Sequence, residues 1–527
     1  MIAGPYVKGR FSDRMKIRQV KISDLGTPDK VGQVVMPRLD FREPDPIPLA
    51  KILVSEYGVG GFIVFGGDKR SVKNATEELN SISGIPLLFG LDAERGVGQV
   101  ISDAALFPST MSLGAARDEA LVYEEARFIA GEMQECGLNL VFAPVLDVNT
   151  NPQNPIINIR AYGDTPGLVS RLGRAFIRGA RDAGVLACAK HFPGHGGTGA
   201  DSHEVMPVQD TTLRELETCN LPPFRSAVDE DVAAVMTAHV AFPGIGNGNI
   251  PATISGNVID GILRRDLGYT GLVVTDSFHM SGINKIGEEW DNAHLALEAG
   301  CDIVLDPRDP VSLLNRLGDM AATGELNVNT LDRSVSRIIS SKNRRLITPA
   351  TEITALSQNG RGLIERIAEG SVCRLKGGRL RSRKAIILVF DVTRSDKNIA
   401  GGFTGYLAGA GVEFKLVPIT LTTKLDRLIA QSGGYGAIIC LIYTTVGAWK
   451  KQSTLPEFFR GALNKLAALP AEKALLSFGS PYVVRGFDKF DTVICAFDSM
   501  DACQTSAARV LMGDMDAKGV MPVDTGF

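Results

Sequence analysis

The sequence predicts an α/β protein with an N-terminal (β/α)8 barrel of TIM type followed by a smaller C-terminal α/β sandwich domain with a mainly parallel sheet. Three observations predict it. Short apolar runs alternate with amphipathic stretches along the first two thirds of the chain, as βα units of a parallel sheet require. Eight such runs fit within the length of one barrel. Polar residues close five of them: Asp92, Asp147, His191, His239 and Asp276. In a barrel those strand ends form one ring around a single mouth. Five strands offering polar groups at the same end is hard to explain as core packing, and this favours the barrel over a doubly wound sheet.

The eight runs occupy residues 31–39, 59–66, 85–94, 138–148, 184–192, 232–240, 270–278 and 300–307. They lack period-two alternation, as expected of strands buried on both faces. Helical patterns lie between them. Residues 119–137 end at Gly137, and residues 166–184 open with Pro166 and close at Gly184, a sound helix frame. A helical stretch at 311–342 completes a barrel domain spanning 1–342. A polar connector with Pro349, Gly360, Gly377 and Gly378 fills 343–383. Beyond it, apolar runs at 384–392, 413–419, 436–445, 473–481 and 491–499 predict a five-stranded parallel sheet with helices on both faces, in a domain spanning 384–527.

Composition narrows the class. Hydrophobic residues make up 44% and charged residues 22%, the balance of a globular protein. A net charge of −3 is too near neutral to suggest nucleic acid or an anionic membrane as partner. No apolar run has the length of a membrane span, and the N-terminal residues lack the apolar core of a signal peptide. The eight cysteines include no C-x-x-C pair, so neither a zinc site nor a disulfide framework is expected. Cys188, Cys440 and Cys495 sit in strand-like runs and read as small core residues. A reducing cytoplasm suits this pattern. Nothing in it sets an oligomeric state.

The stretch AKHFPGHGGTGADSHEVMP, residues 189–207, satisfies G-x-G-x-x-G between Gly194 and Gly199. A dinucleotide site needs a helix to open inside the glycines, so that its first amides face the phosphates. Here ADSHEVMP follows, and the next helical pattern begins only after Asp210, the expected N-cap. The cofactor reading fails on context. The other reading is a glycine-rich loop at the barrel mouth that carries Asp201 and His203. If the loop is extended, residues i and i+2 point the same way. The Asp201 carboxylate then hydrogen-bonds the imidazole, fixes its tautomer and raises its pKa, keeping His203 a proton donor near neutral pH. An exposed surface histidine is the plainer alternative. Metal binding by His191, His195 and His203 is a third, although their spacing matches no zinc helix.

Asp276, in GLVVTDSFHMSG, directly follows a buried strand. It reads as a helix N-cap or as a nucleophile. A carboxylate facing a loop-borne acid across a glycosidic bond is the layout of retaining glycoside hydrolysis, with His in place of one carboxyl group.

These residues carry a resemblance. KHFPGHGGTGADSH together with GLVVTDSFHM resembles the β-N-acetylglucosaminidases of glycoside hydrolase family 3, the NagZ-like branch of two-domain type. FGLDAERG, NLVFAPVLDVNTNPQNPIINIRAYG, VMTAHVAFP and IPATISGNVIDGILRRDLGYTGLVVTD extend it over about residues 32–307, and SFGSPYVVRGF through AARVLMGDMDAKGVMPV resembles the second domain. The resemblance implies removal of β-linked N-acetylglucosamine from a non-reducing end, with retention through a glycosyl–Asp intermediate, in cell-wall amino-sugar recycling. It implies Asp276 as nucleophile, His203 as acid/base and Asp201 as its partner, with Asp92, Arg160, Lys190 and His191 holding the sugar hydroxyls. It calls for a small carbohydrate substrate and for no cofactor or metal. One position departs: relatives commonly carry Arg eight residues after the match to Asp92, where this chain has Val100, and Arg95 is out of register. Two rivals remain. A phosphorylase is compatible with a neutral histidine, which does not repel phosphate. A non-catalytic sugar-binding protein is opposed by the intact Asp201, His203 and Asp276.

Overall fold

A computed structural model describes residues 20–199, 206–245, 248–347, 359–394, 398–446 and 454–527. Strands β1 (Val35–Met36) and β2 (Arg38–Asp40) are one extended run interrupted at Pro37. Pro37 has no N–H to give to a ladder, but its carbonyl accepts from Ile63 at 2.9 Å. Then follow β3 (Gly61–Phe65), β4 (Leu88–Leu91), β5 (Leu140–Val141), β6 (Leu186–Phe192), β7 (Ala234–Thr237) and β8 (Leu272–Val274). Strands β2 to β8 pair in sequence order, all parallel. β9 (Val304–Leu305) meets β8 through the Val274–Ile303 bridge and pairs parallel with β1, Val35 opposite Val304. The ring therefore closes, and each of the eight expected runs supplies a strand position in it.

The strands are short and almost wholly buried: side chains of β4, β5, β7, β8 and β9 have no exposed face. Side chains filling the ring bury one face and helices the other, which is why period-two alternation is missing. The helix Glu119–Glu135 starts where Asp118 accepts from the amides of Ala120 and Leu121. The helix Pro166–Asp182 begins on its proline, whose missing N–H costs nothing at that position. The helical stretch expected at 311–342 is two helices, Pro310–Thr323 and Val328–Ile347. Gly324, at φ 80°, ends the first in the left-handed region that glycine enters freely.

The second sheet contains β10 (Cys373–Lys376), β11 (Lys384–Asp391), β12 (Glu413–Pro418), β13 (Ala437–Tyr443), β14 (Glu472–Phe478) and β15 (Thr492–Cys495), in spatial order β10-β15-β14-β13-β11-β12. The five expected strands are present and parallel. The sixth, β10, is antiparallel to β15 and lies inside the stretch read as a polar connector. That stretch also holds the helix Gly360–Ser371. Its charged residues mask a stripe at Leu363, Ile367, Ala368 and Ser371, spaced three and four apart, which is the buried face. Leu363 and Ile367 belong to the barrel core, and Ala368 and Val372 to the core on one face of the second sheet.

The two sheets share a seam. Met111, Ala115 and Ile159 pack into the core on the other face of the second sheet. Polar bonds lace its edge: Asn149 Nδ2 donates to Tyr482 Oη at 2.7 Å, Val520 N to Ala115 O at 3.0 Å, and Asp164 N to Pro522 O at 3.1 Å. All eight cysteines are free, and Cys188, Cys440 and Cys495 are fully buried core residues. Among the described residues, no helix is long and apolar enough to cross a membrane.

Candidate active site

The C-terminal ends of the barrel strands open into a cavity of about 750 Å³, within the range of small-molecule pockets. Asp92, Arg160, Lys190, His191 and Asp276 all line it, brought together from four separate segments of chain. Asp201 and His203 lie outside the described residues.

β6 carries Lys190 and His191 near its end, and Asp92 follows β4 directly. Lys190 Nζ lies 2.7 Å from Asp92 Oδ1 and 2.7 Å from Glu94 Oε1. Arg160, at the end of the 3-10 turn Asn158–Arg160, grips Glu94 with two bonds, Nε to Oε2 at 2.9 Å and Nη2 to Oε1 at 2.7 Å. The Lys190 and Glu94 side chains are 3% and 5% exposed. Charges so far from water persist only when paired, and here two cations face two carboxylates. Burial pushes the Glu94 carboxyl up, but Arg160 and Lys190 outweigh it and hold that carboxyl well below its usual range. Burial likewise pushes Lys190 down, and Asp92 and Glu94 hold it above the usual lysine value. The result is a pre-ionised cluster with Asp92 as its more exposed member. Glu94 was absent from the sequence-based expectations. Its signal was available: it stands two residues after Asp92, on the same side of an extended chain.

His191 is fixed from behind. Its Nδ1 lies 2.7 Å from Oδ2 of the wholly buried Asp147, whose Oδ1 accepts from His195 N at 2.6 Å. Burial raises the Asp147 carboxyl, yet His191 and then His195 together more than offset this and hold its pKa below the ordinary value. The carboxylate keeps the proton on Nδ1 of His191 and leaves Nε2 as the ring's other hydrogen-bonding atom. His195 is buried, and burial together with His191 lowers its pKa to about 4, so its ring is neutral at physiological pH.

Asp276 stands two residues beyond β8 and is partly exposed. No helix starts on it; the next, Ser281–Asn284, has Met280 at its N-cap, so the capping reading of Asp276 does not hold. Instead Asp276 Oδ1 accepts from Ser277 N at 2.8 Å. Ser277 Oγ donates to Asp306 Oδ2 at 2.6 Å, and Asp306 is clamped by Arg38 through bonds of 2.7 and 2.8 Å. The Ser277 carbonyl lies 3.3 Å from His239 Nε2.

The glycine-rich loop is built for close approach. A Cβ on Gly196 would lie 1.9 Å from the Val148 carbonyl oxygen, and Gly194 sits at φ 134°. No helix opens among its described glycines. The helical segment downstream begins at Leu213, and its cap is Thr212 rather than Asp210: Thr212 Oγ1 accepts from Glu215 N while the Glu215 carboxylate accepts from Thr212 N, a capping box. Val100 packs partly buried against the barrel core, whereas Arg95 lines the cavity, its Nη1 2.7 Å from Asp498 Oδ2 of the second sheet's loop.

Residues 27–341 match the model of the glycosyl hydrolase family 3 N-terminal domain. Beta-hexosaminidase A of Pseudoalteromonas piscicida is 33% identical over 328 residues, 55% of this chain and 54% of that protein; the chain thus spans about half the length of this relative. A solved glycoside hydrolase family 3 beta-N-acetylglucosaminidase from Paenibacillus sp. str. FPU-7 superposes with a TM-score of 0.83 at 32% identity, covering 95% of this chain and 99% of that one. A beta-glucoside phosphorylase, BglX bound to 2FGlc, shares the fold with a TM-score of 0.84 at 23% identity, covering 96% of this chain and 95% of that one.

Proposed function

This chain belongs to glycosyl hydrolase family 3, and from that membership we propose that it is a retaining exo-β-N-acetylglucosaminidase acting in amino-sugar recycling in the cytoplasm. One observation carries the reading: Asp276 shares a single cavity with the paired Asp92–Lys190–Glu94–Arg160 cluster and with His191. Charged groups make strong directional bonds to hydroxyls, so this cluster seats the terminal sugar. Asp92 gives one oxygen to Lys190 and keeps the other for the sugar. The similarity to an enzyme described as a beta-N-acetylglucosaminidase supports the choice of sugar.

In this reading the Asp276 carboxylate attacks the anomeric carbon as the glycosidic C–O bond breaks. His203, oriented by Asp201, protonates the departing oxygen. Water then attacks the glycosyl–Asp276 ester while His203 takes its proton, and the sugar leaves with its configuration retained. A mechanism-based fluorosugar tests the assignment: it should label the peptide containing Asp276, and Asp276→Ala should abolish turnover with an unchanged circular dichroism spectrum. Labelling of another residue would sink it. Product analysis at rising phosphate distinguishes the phosphorylase reading. Free sugar is expected throughout, and sugar-1-phosphate as the dominant product would reverse the conclusion.

A further inference from the structure

Arg95 is a cation in the cavity wall for which the mechanism above has no task. Its side chain is about one quarter exposed. Nη1 donates to Asp498 Oδ2 at 2.7 Å. Nε is buried without a hydrogen-bond partner, and Nη2 has none among the described residues. A guanidinium carries five N–H donors in a rigid fork, and most of this fork is unspent.

What holds it is unusual in origin. Asp498 comes from the second sheet, just beyond β15, 403 residues away in sequence. It is itself fixed: Oδ2 also accepts from Ser109 N at 3.0 Å, and Oδ1 accepts from Met500 N at 3.0 Å. Ser109 Oγ in turn donates to the Phe497 carbonyl at 3.0 Å. Phe497 sits at φ 59°, a backbone region that residues with a Cβ enter rarely and at a cost. That bend turns Asp498 toward Arg95. Thr445 and Val446, just past β13, line the same cavity.

Arg95 lies one residue from Glu94 and three from Asp92, so it flanks the cluster assigned above to the terminal sugar. Hydroxyls of a sugar both donate and accept, and the carboxylates and Lys190 suit them. An acetamido carbonyl only accepts, and it calls for a donor-only partner. Leu106, which lines the same cavity, offers apolar surface for the acetamido methyl, and its neighbour Phe107 donates its backbone N–H to the Arg95 carbonyl at 2.8 Å.

We propose that Arg95 is a specificity-determining residue that donates to the acetamido carbonyl of the bound sugar, and that Asp498 of the second sheet is its positioning residue. This rests on the N-acetylglucosaminidase reading. The second sheet then helps to choose the substrate without touching the reacting atoms.

The test is steady-state hydrolysis of 4-nitrophenyl β-N-acetylglucosaminide and 4-nitrophenyl β-glucoside, backed by inhibition with N-acetylglucosamine and with glucosamine should the glucoside turn over too slowly to time. Arg95→Ala should lower kcat/KM on the acetamido substrate about 10- to 100-fold, the worth of one hydrogen bond to a charged group. Most of the loss should lie in KM, with the unacylated sugar little affected. Asp498→Asn should give a weaker version of the same split, Asp498→Glu should restore part of it, and the double variant R95A/D498N should be no worse than Arg95→Ala alone. Equal losses on both sugars would overturn the proposal, as would an Asp498→Asn protein with a lowered Tm and an unchanged KM. Wild-type protein that cleaves the glucoside and ignores the acetamido substrate would overturn the N-acetylglucosaminidase reading and this inference together.

Discussion

At the scale of single residues, proton placement decides what the site can do. Acid assistance matters most for a poor leaving group. His203→Ala should therefore slow cleavage of an alkyl glycoside by about 10²–10⁴-fold, the usual worth of general acid catalysis, and slow release of an activated nitrophenol much less. Pre-steady-state release of nitrophenol beside alkyl glycoside turnover checks this; equal slowing of both first steps would leave His203 a positioning role only. A second residue shows the opposite arrangement to Glu94. Glu125 is 1% exposed, and neither of its carboxyl oxygens has a hydrogen-bond partner. Burial drives its pKa well above the ordinary 4.5, and the charge of Arg95 pulls the other way without offsetting this. The folded protein thus keeps a proton that the unfolded chain releases, so stability falls as pH rises above about 4.5 toward the raised native value. Glu125→Met should remove that slope, and its gain over wild type should be larger at pH 7 than at pH 4 in urea titrations. A gain independent of pH would show that the native carboxyl takes up its proton no more readily than the unfolded chain's. Strand-end polar residues such as Asp92, His191 and Asp276 were legible because each follows an apolar run. The Arg38–Asp306 clamp was not, since its partners are 268 residues apart and each alone looks like an ordinary charged residue.

At the scale of elements, glycines separate two demands that look alike in sequence. Gly318, inside the helix Pro310–Thr323, has open space where a Cβ would go. Gly318→Ala should stabilise the protein by about 0.5–1 kcal/mol by improving helix propensity. Gly196 is held against the Val148 carbonyl. Gly196→Ala must displace the loop that leads to Asp201 and His203, and should lower both Tm and kcat. Thermal melts and kinetics on the two variants provide the check; a Gly196→Ala protein with wild-type kcat would show that the loop's path does not set the site. The same ambiguity explains what the sequence hid at this level. Apolar runs announced the parallel strands. β10, with two partly buried residues and an exposed Lys376 among its four, carried no such signal and is a strand only because β15 offers it an edge. The helix Gly360–Ser371 was hidden for a related reason: its narrow stripe serves two cores at once.

At the scale of the whole molecule, the barrel and the second sheet meet through packed apolar side chains and a polar border. The strands of the barrel and the five parallel strands of the second sheet could be counted from the sequence, but the seam could not, because its contacts join residues more than 300 positions apart whose pairing no local pattern encodes. The ring closure has a kinetic consequence. β9 and β1 share a register of only two residue pairs, and the Arg38–Asp306 clamp that backs Ser277 sits immediately beside it. Joining them means closing a loop of 268 residues, and such non-local contacts form late. A chain with seven strands zipped and the ring still open would have nearly all its helix and sheet, yet Asp276 would lack its braced neighbour. On refolding from urea, far-UV circular dichroism should recover ahead of hydrolytic activity, with the two curves separated by the closure step. If they rise together in one phase, the seam forms with the rest of the barrel. In the first case the enzyme acquires its chemistry at the moment the first strand finds the last.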